Sequence, residues 1–151
     1  MAQDCNSSVV LLPIRPCYVK RIIDGTKRIE FRRKPFKRSV QNVVVYSTSP
    51  VRKIVALFTV SHITKAGPSE IWTKYHHLAG IDMKTFRDYF QGRDSAIAIG
   101  IGVVTILDPP ISLRLLSGSL IPPQSFIYLR YQLFQKLCSR AKIFPSSRVP
   151  T

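Results

Sequence analysis

The segment at residues 25–33, with the sequence GTKRIEFRR, constrains this chain most, because it places one carboxylate among four basic side chains. Its alternation predicts a short strand that follows a glycine turn. Three charged side chains would share one face of that strand, namely Arg28, Glu30 and Arg32. The predicted buried face holds Ile29 and Phe31.

Two guanidinium groups flank the Glu30 carboxylate in this prediction. Opposite charges at this spacing favour the ionised carboxylate and orient the arginines, which leaves N–H donors for a phosphate or a base edge. Lys27 is out of phase with the charged face and joins it only if a turn or a bulge redirects the chain. The same pattern is also typical of a solvated strand face with a modest ion-pair network, so both interpretations stay open.

The positive charge of the chain is large and concentrated. The 151 residues carry a formal net charge of +15, and ten of the 23 lysines and arginines lie between Arg15 and Arg38. Such a surplus indicates a polyanionic partner, with nucleic acid as the first hypothesis. No stretch approaches the ~18 apolar residues of a membrane-spanning helix, so we expect no membrane partner. Residues 1–6 lack the pattern of a secretion signal, so we expect a cytoplasmic location.

The cysteines and histidines have no spacing typical of a metal site. Three cysteines lie far apart without a Cys-x-x-Cys pair, and no histidine has ligand spacing to any of them. Phosphate-binding loops, nucleophile elbows and dinucleotide fingerprints do not occur. The sequence therefore predicts neither a metal nor a cofactor.

Apolar periodicity predicts strands interleaved with helices. Besides the charged segment, strands are expected at residues 8–14, 42–48, 53–63, 95–107 and 111–116, and helices at residues 16–24, 68–78, 84–90 and 127–140. We expect residues 9–140 to form a single domain between a flexible N-terminus at 1–8 and a flexible tail at 141–151. The expected fold class is α+β, a small mixed or antiparallel β-barrel of five to six strands decorated by helices.

Residues 25–32 resemble the Gly-x-Lys-x-x-Glu-x-Arg signature of the ASCH domain family, which belongs to the PUA-like superfamily. A strand and a helix that ends in Asp-Gly precede the signature, as they do in the family. Three further landmarks follow in the family's order: VYSTSP at 45–50, IW at 71–72 and PPQSF at 122–126. The similarity covers nearly the whole chain and implies a PUA-like barrel with a cleft beside the signature.

The resemblance implies that RNA or a modified nucleotide binds in that cleft. Trp72 could stack an unpaired base, and Thr48 could bind a base or a sugar through a hydrogen bond. The full set of candidate nucleic-acid-binding residues is Arg15, Lys27, Arg28, Glu30, Arg32, Arg33, Thr48 and Trp72.

A hydrolase is the alternative that the resemblance implies, because some small family members are ribonucleases or amidohydrolases that act on acetylated cytidine. The candidate catalytic residues are Lys27, Glu30 and Arg32, as nucleophile or base, proton acceptor and phosphate ligand. The amidohydrolase members carry threonine at the position of Glu30 and take a glutamate from the middle helical region, where residues 78–81 hold no acid. A transcription-related protein-interaction module is a third hypothesis. Of these hypotheses we favour RNA binding, because an ion pair with the flanking arginines would engage the Glu30 carboxylate and leave it less available for catalysis.

Overall fold

A computed structural model of the chain describes residues 7–140. The strands are β1 (Ser7–Ile14), β2 (Ile29–Arg32), β3 (Ser39–Ser47), β4 (Lys53–Ala66), β5 (Ala96–Ile111) and β6 (Ile127–Leu129). The helices are α1 (Pro16–Asp24), α2 (Pro68–Tyr75), α3 (Met83–Phe90), α4 (Leu113–Leu116) and α5 (Tyr131–Arg140), with a 3₁₀ turn at His76–Leu78. The tail expected at 141–151 lies outside the described residues, as do residues 1–6 of the expected flexible N-terminus.

The helix ends follow local sequence signals. Helix α1 begins at Pro16, whose fixed φ suits the first helical position, and ends before Gly25, which adopts a left-handed φ of 87°. Helix α3 follows Asp82, whose side chain accepts a hydrogen bond from the Thr85 N–H at 2.8 Å. These signals fix both ends of α1 and the start of α3.

The six strands form one mixed sheet in the order β2-β5-β4-β3-β1-β6. Strands β1 and β3 are parallel, and every other neighbouring pair is antiparallel. The parallel pair arises because α1 and β2 form the connection between β1 and β3. Strand β2, which carries the charged segment, therefore lies at one edge of the sheet, next to β5.

Both faces of the central strands are buried. On β1 and β3, Val9, Leu11 and Val44 pack with α4 and α5, whereas Val10, Leu12, Ile14 and Val43 pack with α1 on the other face. A third cluster joins α2 and α3 to β2 and the start of β5 through Phe31, Ile71 and Phe86. The valine run at residues 43–45 is fully buried, as its sequence predicts.

The predicted α+β class and the strand number are confirmed, but the sheet does not close into a barrel. The edge strands β2 and β6 pair over only four and three residues with β5 and β1, and no hydrogen bonds between β2 and β6 occur in the described part of the chain. Closure would require such pairing. The sheet is therefore open.

Two local predictions near the C-terminus are wrong. Residues 113–116, expected in a strand, form helix α4, because Leu113 and Leu116 bury one helical face against the core. The helix expected at 127–140 begins only at Tyr131, because residues 127–129 pair with β1 as strand β6. Strand β5 also continues through Asp108 to Ile111, beyond its predicted end at 107.

Candidate functional site

A cleft of about 640 Å³ lies beside β2 and is lined by residues of α1, α3 and the ends of β1 and β3. It contains six of the eight predicted binding residues, namely Arg15, Lys27, Glu30, Arg32, Arg33 and Thr48. A second concavity of about 680 Å³ near β6 and α5 has Arg130 as its one charged lining residue. The cleft beside β2 therefore suits a polyanion better.

The turn before β2 redirects Lys27 into the cleft. The Lys27 N–H donates to the Arg21 carbonyl at 3.0 Å, which folds this residue back on α1. Its side chain is only 2% exposed, and its Nζ donates a hydrogen bond of 2.7 Å to the Ala79 carbonyl. The same nitrogen lies 5.6 Å from the Tyr18 ring centre and 5.2 Å from that of Phe31. Lys27 is out of phase with the charged face of the strand, and this turn is what brings its side chain into the charged cluster.

Glu30 lies between two cations. Its Oε2 is 3.7 Å from Lys27 Nζ, and its Oε1 is 3.7 Å from Arg32 Nε. Both distances are those of ion pairs and are longer than hydrogen bonds. Arg32 also donates from Nη2 to the Pro13 carbonyl at 2.6 Å, which ties β2 to the end of β1.

Two buried polar atoms of this cluster have unused hydrogen-bonding capacity. Within residues 7–140, Glu30 Oε2 and Arg32 Nε make no hydrogen bond, although both atoms are buried. A buried polar atom without a partner costs about 1–3 kcal/mol. Each such atom in a folded protein needs an explanation, and a group that completes the network at a functional site is one.

Burial lowers the pKa of the Lys27 ammonium below its ordinary value, because a buried charge loses its hydration. The Glu30 carboxylate opposes this change by favouring the charged amine, and the positive charges of Arg21 and Arg32 add to the lowering. The cluster therefore holds an amine that loses its proton more readily than an exposed lysine.

Helix α3 and helix α1 supply cleft residues that the sequence did not reveal. Tyr18 lines the cleft, although its helical phase predicts a position on the buried face of α1. On α3, Thr85, Asp88 and Tyr89 also line the cleft. Their spacing of three and four residues is typical of one helical face, and it is the signal that could have found them. The guanidinium carbon of Arg33 lies 4.3 Å from the Tyr89 ring centre.

Arg28 and Trp72 do not line the cleft. Arg28 precedes β2, where its N–H donates to the Leu78 carbonyl and its carbonyl accepts from the Ile101 N–H. Trp72 packs on Phe86 with ring centres 4.9 Å apart, in the cluster behind β2. The alternation predicted Arg28 on the charged face of the strand. This prediction is wrong, because β2 begins only at Ile29 and Arg28 lies before it.

Within the described residues, no group of three or more histidine, cysteine, aspartate or glutamate side chains is arranged to hold a metal ion. None of the helices at residues 7–140 has the length and apolarity to cross a membrane.

The open mixed sheet and the basic cleft beside its edge strand define a PUA-like α+β domain. Residues 12–105 match the family model of the ASCH domain, so the chain belongs to the ASCH domain family.

Solved and curated relatives agree with this assignment. The ASCH domain-containing ribonuclease of Zymomonas mobilis is 28% identical over 85% of this chain and 89% of its own length. The crystal structure of ASCH from Zymomonas mobilis superimposes with a TM-score of 0.81 at 27% identity, over 87% of this chain and 94% of that one. The N-terminal domain of McrB from Staphylothermus marinus shares the fold alone, with a TM-score of 0.58 at 9% identity over 93% of this chain and 98% of that one.

Proposed function

We propose that the chain binds single-stranded RNA in the cleft beside β2. The observation that carries this proposal is the cleft itself, which brings Arg15, Lys27, Arg32 and Arg33 to one concave surface beside two tyrosines. Cations attract the phosphate backbone whatever its sequence, and aromatic rings accept unpaired bases. An RNA-binding role also fits the cytoplasmic location expected from the sequence.

The two arginines at the rim are suited to phosphate contacts. Arg15 and Arg33 are exposed, so their guanidinium groups can reach the backbone of a bound strand. Tyr89 already carries the Arg33 guanidinium on its ring, and such an Arg–Tyr pair provides a flat surface for a base. Thr48 and Gln124 supply hydrogen-bonding groups at the same cleft.

The buried cations have a different role in this proposal. Lys27 and Arg32 are anchored by the carbonyls of Ala79 and Pro13, so they cannot move out to follow a flexible backbone. Glu30 lies between them and holds both in place. We therefore assign the rim arginines to general phosphate attraction and the buried trio to the shape and charge of the cleft floor.

RNA cleavage is the second candidate, and the likeness to the Zymomonas mobilis ribonuclease favours it. In this reaction Glu30 would take the proton of a 2′-hydroxyl, and the 2′-oxygen would bond to phosphorus as the P–O5′ bond breaks. Arg32 would stabilise the charge on the phosphate, and the Lys27 ammonium would give a proton to the leaving 5′-oxygen. The products would be a 2′,3′-cyclic phosphate and a 5′-hydroxyl.

The test is incubation of the purified chain with a labelled single-stranded RNA pool, and separately with acetylated cytidine, while retention and chemical change are both followed. The variants are Arg33→Ala, Glu30→Gln and Lys27→Ala, with circular dichroism as the check on folding. Arg114→Ala is the control, because Arg114 is an exposed arginine on α4, away from the cleft.

Retention that Arg33→Ala weakens and Arg114→Ala leaves unchanged would support binding. Cleavage that a folded Glu30→Gln variant loses would support the ribonuclease, and deacetylation of the nucleoside would support the amidohydrolase instead. No retention of RNA and no chemical change by the wild type would overturn the proposal. If a protein co-purifies with the chain, nuclease treatment shows how it is held. Loss of that protein would indicate a contact through RNA, and its retention would indicate direct protein binding.

A further inference from the structure

Three successive carbonyl groups at the end of the 3₁₀ turn accept hydrogen bonds from α1 and from the segment that follows it, and we call these bonds the clamp. The pairs are Arg28 N–H with Leu78 O at 2.8 Å, Lys27 Nζ with Ala79 O at 2.7 Å, and an Arg21 guanidinium N–H with Gly80 O. Lys27 belongs to the cleft, and the 3₁₀ turn carries two exposed histidines. The clamp therefore joins the cleft floor rigidly to the surface that those histidines occupy.

Three ring side chains precede this clamp in the chain, two on the 3₁₀ turn and one on α2. The Trp72 and His76 ring centres are 5.8 Å apart, and those of His76 and His77 are 5.7 Å apart. Both histidines are exposed, and Trp72 is half-buried against Phe86. We call Trp72, His76, His77 and the adjacent Arg28 the ring track.

The charge of the ring track suits a polyanion. Arg28 is exposed, and its guanidinium group has no ion-pair or hydrogen-bond partner in the part of the chain that the structure describes. Asp82, the first acid after the turn, is already engaged as the cap of α3. On α2 the exposed Lys74 offsets the exposed Glu70, so the track offers the free cation of Arg28 together with two exposed imidazole rings.

We propose that the ring track is a second contact surface for single-stranded RNA, which continues the path of a strand that leaves the cleft. This inference rests on the proposed function, and it sets the length of RNA that the chain holds. Imidazole and indole rings stack on unpaired bases without regard to sequence, because every base has a π face. Arg28, whose N–H bonds to Leu78 at the end of the turn that carries the histidines, binds the phosphate that joins the two parts of the strand.

The experiment compares two lengths of single-stranded RNA, of about 4 and about 12 nucleotides, within the range of sites that single-strand-binding folds cover. Fluorescence anisotropy measures their affinity for the wild type, for the His76→Ala/His77→Ala variant and for Arg28→Ala. Arg114→Ala again serves as the control for the loss of one positive charge. Trp72 is left intact, because its packing on Phe86 makes its removal a risk to the fold.

We expect the double histidine variant to bind the longer RNA about tenfold more weakly and to bind the shorter RNA as the wild type does. Arg28→Ala should lower the slope of log affinity against log salt by about 0.7 for the longer RNA only. The proposed role of the ring track would be overturned if the double histidine variant and the wild type bound the longer RNA with equal affinity. It would also be overturned if the variant lost the same factor in affinity for both RNA lengths. Failure of the wild type to bind either RNA would instead overturn the proposed function.

Discussion

The Lys27 ammonium nitrogen lies 3.7 Å from Glu30 Oε2, and both side chains are buried at the floor of the cleft. A second ion pair, between Lys84 and Asp88, has nearly the same length of 3.5 Å, but its side chains are 87% and 67% exposed. The two pairs therefore differ in burial, and the buried pair also shares its carboxylate with Arg32. This contrast provides a matched test of what the buried pair contributes.

The Lys27→Met variant should lose about 3 kcal/mol of the free energy of unfolding, because it removes one of the two cations that offset the burial of the Glu30 carboxylate. Lys84→Met should change the same quantity by no more than about 0.5 kcal/mol, since exposed ion pairs contribute little. Urea denaturation of the two variants and the wild type measures both values. Similar losses in the two variants would contradict the role given to burial.

The stability of the chain should depend on pH through Lys27 in the alkaline range. The pKa of Lys27 is lowered in the folded state, so between that lowered pKa and its ordinary value of 10.5 the unfolded chain binds more protons. Under that condition the free energy of unfolding rises with pH. Relative to Lys27→Met, the wild type should therefore gain stability as pH rises toward 10.5. Denaturation at several alkaline pH values checks this, and a constant difference between the two proteins would refute it.

Gly80→Ala should destabilise the chain and weaken RNA binding together. A Cβ at Gly80, where φ is 62°, would lie 2.6 Å from the Lys27 Cβ, so the turn and the lysine must move apart. Gly92→Ala is the control, because φ is 75° there but nothing lies within 4 Å of the added Cβ. We expect Gly92→Ala to cost about 1 kcal/mol through backbone strain alone, and Gly80→Ala to cost clearly more. Thermal denaturation and RNA titration of both variants make the comparison.

RNA affinity should fall steeply with salt, and the rim arginines should account for part of the slope. For single strands each phosphate contact contributes about 0.7 to the slope of log affinity against log salt. Arg15→Ala and Arg33→Ala should each lower the slope by about this amount, whereas Arg114→Ala should leave it unchanged. Titrations at four salt concentrations measure the slopes. An unchanged slope in both cleft variants would show that these arginines do not contact phosphate.

Local sequence patterns predicted most of the elements that hold the site. The proline and glycine at the ends of α1, the cap at Asp82 and the valine run of β3 each express a preference over a few residues. The sequence patterns failed to predict the two shortest elements near the C-terminus, α4 and β6, which have only four and three residues. Their local preference is weak, and contacts with the core and with β1 decide their structure.

The sequence by itself determined the α+β class, the excess of positive charge and the placement of Glu30 and Arg32 on one face of a strand. Only the tertiary structure decided that Lys27 is buried, that Tyr18 and Tyr89 line the cleft, and that Arg28 lies outside it. The physical reason is the range of the interactions. Alternation and capping act between near neighbours, whereas the carbonyl that holds Lys27 belongs to Ala79, 52 residues further along the chain.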